Sequence, residues 1–248
     1  MAGHSKWANI KHRKGRQDAR RAKVWSRCSR AIIVAAQQGG ADVEFNVTLR
    51  YAVEAAKAAN MPKDNISKAI KKGSGQDGVA ERYEEVRYEG YGAAGVAFIV
   101  DTLISNPQKT APEIRALFDR GNGKLGQSGS VSFGFTHQGM FFIDASKVTE
   151  DQLMEIALEA GADDILEDGG LFQVTTPPSE YLSVKAALEA AEIELESAEI
   201  TWTPQTTIAC DIKVGKQILR LVDAMDDNDD VQAVYHNADL PEELLEQG

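Results

Sequence analysis

The chain has 248 residues, with 27 Lys/Arg against 38 Asp/Glu and a formal net charge of −11. That length allows about one to three domains with real cores. No apolar run approaches the ~20 residues of a membrane span, and the two cysteines, Cys28 and Cys210, lie too far apart for a disulfide framework or a zinc spacing. A reducing, cytoplasmic setting is therefore expected.

The charge is unevenly placed. The first thirty residues hold ten cations (Lys6, Lys11, Arg13, Lys14, Arg16, Arg20, Arg21, Lys23, Arg27 and Arg30) and one acid, Asp18. Residues 1–72 carry 16 Lys/Arg and 5 Asp/Glu, a net of +11. The remainder carries 27 − 16 = 11 and 38 − 5 = 33, a net of −22. Positive charge gathered at one end of an acidic chain points to a polyanionic partner, of which nucleic acid is the commonest. The basic start has no apolar h-region, so it is not a secretory signal. An Arg-rich, acid-poor start imitates a mitochondrial transit peptide, but the pattern continues without a break into a helix of the fold.

In chain order, residues 1–15 are polar and read as a mobile arm. Trp7 and His12 are interleaved with its cations, as side chains that stack on unpaired bases would be; packing of Trp7 onto the helices is the alternative. The spacing of Val24, Cys28, Ala31, Ile32 and Ala35 predicts a helix over 17–38, ended by Gly39-Gly40. At 100° per residue Arg16, Arg20, Lys23, Arg27 and Arg30 form one stripe beside that apolar face. A second helix is expected over 46–60 with Leu49, Val53 and Ala56 inward. A third spans 62–72, opened by Pro62 and closed by Gly73, with Lys68, Lys71 and Lys72 in its last turn. Residues 73–78 read as a flexible linker.

Beyond the linker the period changes. Strands are expected at 82–89, 96–103, 129–135 and 140–143, with a helix at 112–120. A helix capped by Thr149 (149–160), strands at 164–166 and 171–175, a helix capped by Ser179 (179–191) and a strand at 193–202 follow. From Met140 this reads β-α-β-β-α-β, a ferredoxin-like unit. A strand (206–211), a helix (214–225) and a strand (231–235) complete the chain. The expected fold class is α+β in three domains: a basic helical bundle with its arm and linker (1–80), a discontinuous α/β domain (81–136 plus 204–248) and an inserted ferredoxin-like domain (137–203).

Most tempting motifs fail on context. Gly90-Tyr91-Gly92-Ala93-Ala94-Gly95 matches a dinucleotide loop, but a strand-like run follows where a helix N-terminus would have to hold the pyrophosphate. Asp226–Asp230 resembles the start of a calcium loop, yet Val231 and Asn237 stand where Gly and Glu are needed; it reads as an acidic turn. The four histidines have no metal spacing, and no phosphate-binding P-loop or nucleophile elbow is present. No cofactor or metal is expected. The Lys109 loop (105–110) and the Lys124 loop (122–130) could meet phosphate, and ordinary turns explain them equally well.

At MAGHSKWANIKHRKGRQDARRAK (1–23) the chain resembles the YebC/PmpR family. The likeness continues through AANMPKDNISKAIKKGSG (58–75), YEGYGAAGVAFIVDTL (88–103), LGQSGSV (125–131) and DDVQAVYHNADLP (229–241). The resemblance implies a helical domain followed by two α/β domains, the last inserted in the middle one. It also implies a regulator that binds promoter DNA, or a ribosome-associated factor that assists translation through proline runs. The family pattern carries arginines where this chain has Pro107 and Lys109, and prolines that the segment GGADVEFNVTLR (39–50) lacks.

The expected function is thus a non-enzymatic, nucleic-acid-binding regulator, with promoter DNA or ribosomal RNA as partner, no membrane association, and a monomer. Lys6, Lys11, Arg13, Lys14, Arg16, Arg20, Arg21, Lys23 and Arg27 are the expected phosphate contacts, with Trp7 as a stacking residue. No base-reading set at recognition spacing is evident, which favours reading of backbone and shape. The alternatives are an enzyme holding a metal or cationic substrate in an acidic interdomain cleft, and an adaptor whose basic end meets an acidic protein.

Overall fold

The structure, a computed structural model, describes residues 21–75 and 83–245, and only the backbone of 21 and 22. The expected arm, the first turn of the first helix and the second half of the linker lie outside the described residues. In chain order the first elements are α1 (Arg21–Gly39), α2 (Val47–Ala58), α3 (Lys63–Gly73), β1 (Glu84–Tyr91), β2 (Ala97–Ile104), α4 (Pro107–Arg120) and β3 (Lys124–Leu125). Next come β4 (Phe135–Asp144), α5 (Glu150–Glu159), β5 (Asp164–Asp168), β6 (Leu171–Thr176), α6 (Tyr181–Ala190) and β7 (Ser197–Pro204). The chain closes with β8 (Ile208–Ala209), α7 (Ile212–Asp226), β9 (Val231–His236), β10 (Ala238–Asp239) and α8 (Glu242–Leu245). The fold is mixed α+β and divides into two compact units, 132–209 and a discontinuous one that joins the described residues before 132 to 210–245.

In the discontinuous unit α1 packs against α2 and α3. Their shared core contains Ile32, Ile33, Ala36, Leu49, Val53 and Ile66. The single apolar face expected of α1 holds only for its first half. Ile32 through Ala36 are all buried in succession, and all of them but Val34 belong to the core shared with α2 and α3. Asn46 organises the α1–α2 corner: its Oδ1 accepts Leu49 N–H at 3.0 Å, capping α2, while its Nδ2 donates to Ala35 O at 2.7 Å and Gly40 O at 2.8 Å. It thus satisfies orphan groups at two helix ends. Gly73 lets α3 meet α1 closely, since a Cβ there would lie 2.4 Å from Ile33 O.

The sheet of this unit has the order β3-β1-β2-β9, antiparallel throughout. The glycine motif at 90–95 is a turn between β1 and β2, as expected, with Ala94 (φ 56°) and Gly95 (φ 78°) left-handed. Helices α4 and α7 pack on each other and on β1, β3 and β9. Phe98 of β2 and Phe118 of α4 meet edge to face at 6.0 Å.

Two expectations fail here. The helix expected from Pro112 begins at Pro107, because Asn106 accepts Gln108 N–H and caps it, with Pro107 in the first turn. The supposed Lys109 loop is therefore helical, and Lys109 lies 3.9 Å from Glu113 one turn on. The strand expected at 129–135 is a loop ending in a 3₁₀ turn at Ser132–Gly134. Its amides are held by a carboxylate instead of a ladder: Glu89, 3% exposed, accepts Gly129 N–H at 2.9 Å and Val131 N–H at 2.8 Å.

In the unit 132–209 the sheet order is β5-β6-β4-β7, antiparallel throughout, with α5 and α6 as crossovers. This is the expected βαββαβ topology. Thr149 caps α5 in a capping box with Gln152. Ser179 does not cap α6; Glu180 holds the cap position without a side-chain bond. Phe141 of β4 stacks on Tyr181 at 4.9 Å. The strand expected at 206–211 is reduced to β8.

Because the buried Glu89 answers two amides with two oxygens, Glu89→Gln should turn an amide NH₂ toward a donor and destabilise the fold by about 2 kcal/mol. Urea denaturation measures it, and an unchanged midpoint would show that the carboxylate does not hold the loop.

Candidate nucleic-acid interface

Lys23, Arg27 and Arg30 recur along one stripe of α1, as the periodicity requires. They face the end of α7. That helix has no basic residue in its last turn, so its terminal carbonyls and the negative end of its dipole need cations from elsewhere. Helix α1 supplies them. Lys23 Nζ donates to Asp227 O at 2.6 Å and Asp226 O at 3.3 Å, and pairs with Asp227 Oδ1 at 3.3 Å. Arg27 donates to Asp226 O at 2.9 Å and to Asp226 Oδ1 at 3.1 Å. Arg30 pairs with Asp230 Oδ1 at 2.9 Å, donates to Asp229 O, and lies over the Tyr83 ring at 5.5 Å.

The acidic turn is itself braced. Asp230 Oδ2 accepts the Thr110 hydroxyl at 2.6 Å, its backbone N–H donates to Asn228 Oδ1 at 2.9 Å, and Asn228 Nδ2 donates to Glu113 Oε2 at 3.1 Å. Asp226–Asp230 thus links α1, α4 and α7. Among the described residues no group of three or more His, Cys, Asp or Glu could hold a metal, and no helix is long and apolar enough to cross a membrane.

Of the expected phosphate contacts, the structure brings Lys23 and Arg27 together, and places both against aspartates. Lys6, Trp7, Lys11, Arg13, Lys14, Arg16 and Arg20 lie outside the described residues, as does the Arg21 side chain. Other cations of the helical segment are differently placed: Lys63, Lys68 and Lys71 are exposed on α3, and no ion pair engages them among the described residues. Their position was visible in the sequence as the charged outer face of an amphipathic helix. Cys28, beside Arg27, is half-buried, and desolvation raises its thiol pKa above the ordinary value, so it is not poised as a nucleophile.

Arg27 and Asp226 are both largely enclosed, with side chains 13% and 17% exposed. Removing one leaves the other's charge unanswered. Arg27→Ala and Asp226→Ala should each lower stability by about 1–3 kcal/mol. The double variant should cost less than their sum. Additive losses in urea denaturation would show that the pair is not coupled.

Comparison with known proteins matches this architecture end to end. A model of the TACO1/YebC protein N-terminal domain matches residues 5–76, and one of the TACO1/YebC second and third domain matches residues 83–238. A probable transcriptional regulatory protein of Syntrophobacter fumaroxidans is 50% identical over 99% of this chain and 99% of its own length. One of Rubrobacter xylanophilus is 48% identical over 99% and 98%. The crystal structure of a conserved hypothetical protein from Aquifex aeolicus superposes with a TM-score of 0.78 at 42% identity, covering 92% of this chain and 94% of that one. With both family models matched and full-length relatives near half identity, the chain belongs to the TACO1/YebC family.

Proposed function

We propose that this chain is a non-enzymatic regulator of gene expression that binds nucleic acid through its basic N-terminal region. The observation that carries the reading is the charge asymmetry: six cations and one acid within the first twenty residues, ahead of a body of net −22. The names of its relatives, probable transcriptional regulatory proteins, favour nucleic acid as the partner. The ion pairs of α1 refine the roles. Lys23 and Arg27 hold the basic helix on the acidic turn, and the cations from Lys6 to Arg21, with Trp7 as a stacking residue, meet the polyanion. Affinity comes from phosphate neutralisation, which favours reading of backbone and shape. The target is promoter DNA or ribosomal RNA, and in the second case the protein supports translation. The three-domain organisation (1–80, 81–136 plus 204–248, 137–203) belongs to the same reading and is supported by family descriptions that name an N-terminal, a second and a third domain.

Two measurements test it. Log affinity for duplex DNA or structured RNA should fall linearly with log salt, with a slope of about −0.9 per phosphate on duplex. Arg16→Glu combined with Arg20→Glu should abolish binding; unchanged affinity would overturn the site. Comparing ribosome co-sedimentation with promoter-DNA retention at one salt concentration separates the two targets.

A further inference from the structure

Beyond residue 72 the chain has only eleven cations against 33 acids. Several of the described ones are paired internally: Arg87 with Asp101, Lys109 with Glu113, Lys147 with Glu194, and Lys185 with Glu189. Six are not (Arg115, Arg120, Lys124, Lys213, Lys216 and Arg220), and four of these lie at the end of α4 and on α7. Arg120 closes α4, and Lys213, Lys216 and Arg220 lie on α7. All four are exposed, and none makes a side-chain ion pair or hydrogen bond among the described residues. Helix α7 buries Gly215, Ile218, Leu221, Val222 and Met225. At 100° per residue those positions define one face, and Lys213, Lys216, Gln217 and Arg220 fall on the other.

Between the end of α4 and this outer face runs a groove of about 310 Å³. Its rim carries Arg120, Asn122, Gln217 and Arg220, and Leu117 and Leu221 contribute apolar surface. The floor is fixed: a Cβ on Gly121 would come within 2.9 Å of Leu221. None of the four polar rim side chains has a partner among the described residues. Two guanidinium forks, two amides and an apolar floor suit a sugar–phosphate unit: the forks match phosphate oxygens, the amides match hydroxyls, and leucine packs on the ribose face. The volume sits at the lower limit of ligand sites, roughly 300 Å³, enough for one such unit.

We infer that the α4–α7 groove is a second nucleic-acid contact, in which Arg120 and Arg220 hold the phosphodiester backbone of the strand bound by the N-terminal region. The inference rests on the nucleic-acid reading above. It gives the unpaired Arg120 and Arg220 a common role: a polyanion held at the N-terminal region would be repelled by the rest of the acidic body and needs a cationic landing point there.

The full-length protein tests it by fluorescence anisotropy with labelled mixed-sequence single-stranded RNA and with duplex DNA, over a series of salt concentrations. Arg120→Gln with Arg220→Gln should weaken binding about tenfold per arginine and reduce the log–log salt slope by about one per lost contact. Arg120→Lys with Arg220→Lys should keep the slope and lose part of the affinity, because charge remains and the fork does not. Lys147→Gln with Lys185→Gln makes the same change in net charge elsewhere and should leave the slope unchanged. If the groove variant behaves like that control while Arg16→Glu with Arg20→Glu abolishes binding, the groove is overturned and the regulator reading stands. If Arg16→Glu with Arg20→Glu binds normally and the groove variant does not, the groove stands and the N-terminal site falls. If the wild-type protein binds neither nucleic acid, both fall.

Discussion

The end of α7 is an electrostatic problem that the chain solves with residues 200 positions away. A fifteen-residue helix points its carbonyls and negative dipole at a turn that contains four aspartates, with no cation in its own last turn. In isolation such an end would fray, since like charges accumulate where the dipole is already negative. Lys23, Arg27 and Arg30 answer both the carbonyls and the carboxylates. Because Arg27, Arg30, Asp226 and Asp230 are largely enclosed, these pairs are screened less by salt than surface pairs are. Their geometry fixes where α1 lies on the α/β sheet unit.

This arrangement divides the cations into two groups with different physics. Those on α1 from Lys23 onward are structural: each faces an acid or a carbonyl, and their value is in orientation. The cations before them have only Asp18 as an acid within the first twenty residues. Exposed lysines on α3 and the arginines of the α4–α7 groove belong with the second group. A nucleic-acid partner would therefore meet separate cationic surfaces on a chain whose overall charge repels it. Such a partner is held where the cations are and repelled elsewhere, which confers orientation without base contacts.

The glycine-rich segments illustrate how context decides. The motif at 90–95 resembles a phosphate-binding loop, but β2 follows it, so its backbone turns between strands instead of opening a helix. The segment 126–131 is loop because Glu89 reaches in from β1 and takes its amides. A buried carboxylate that accepts from two of this loop's amides does from within what a bound anion does in a nucleotide site.

Caps, periods and turn residues are local, and they were readable without coordinates. Thr149 announces α5, Leu49, Val53 and Ala56 mark a buried face, and the run from Met140 spells βαββαβ. The amino-acid sequence by itself also settled the segregation of charge and the family. Where two local signals compete, neighbours decide: Pro107 and Pro112 both open helices well, and the Asn106 cap selects the first. Tertiary structure alone decided what the cations touch. A side chain's partner across 200 residues leaves no periodic trace, because the Coulomb energy depends on distance in space and not along the chain. For that reason Lys23 and Arg27 look in sequence like the cations before them, and only the folded chain shows aspartates waiting at the end of α7.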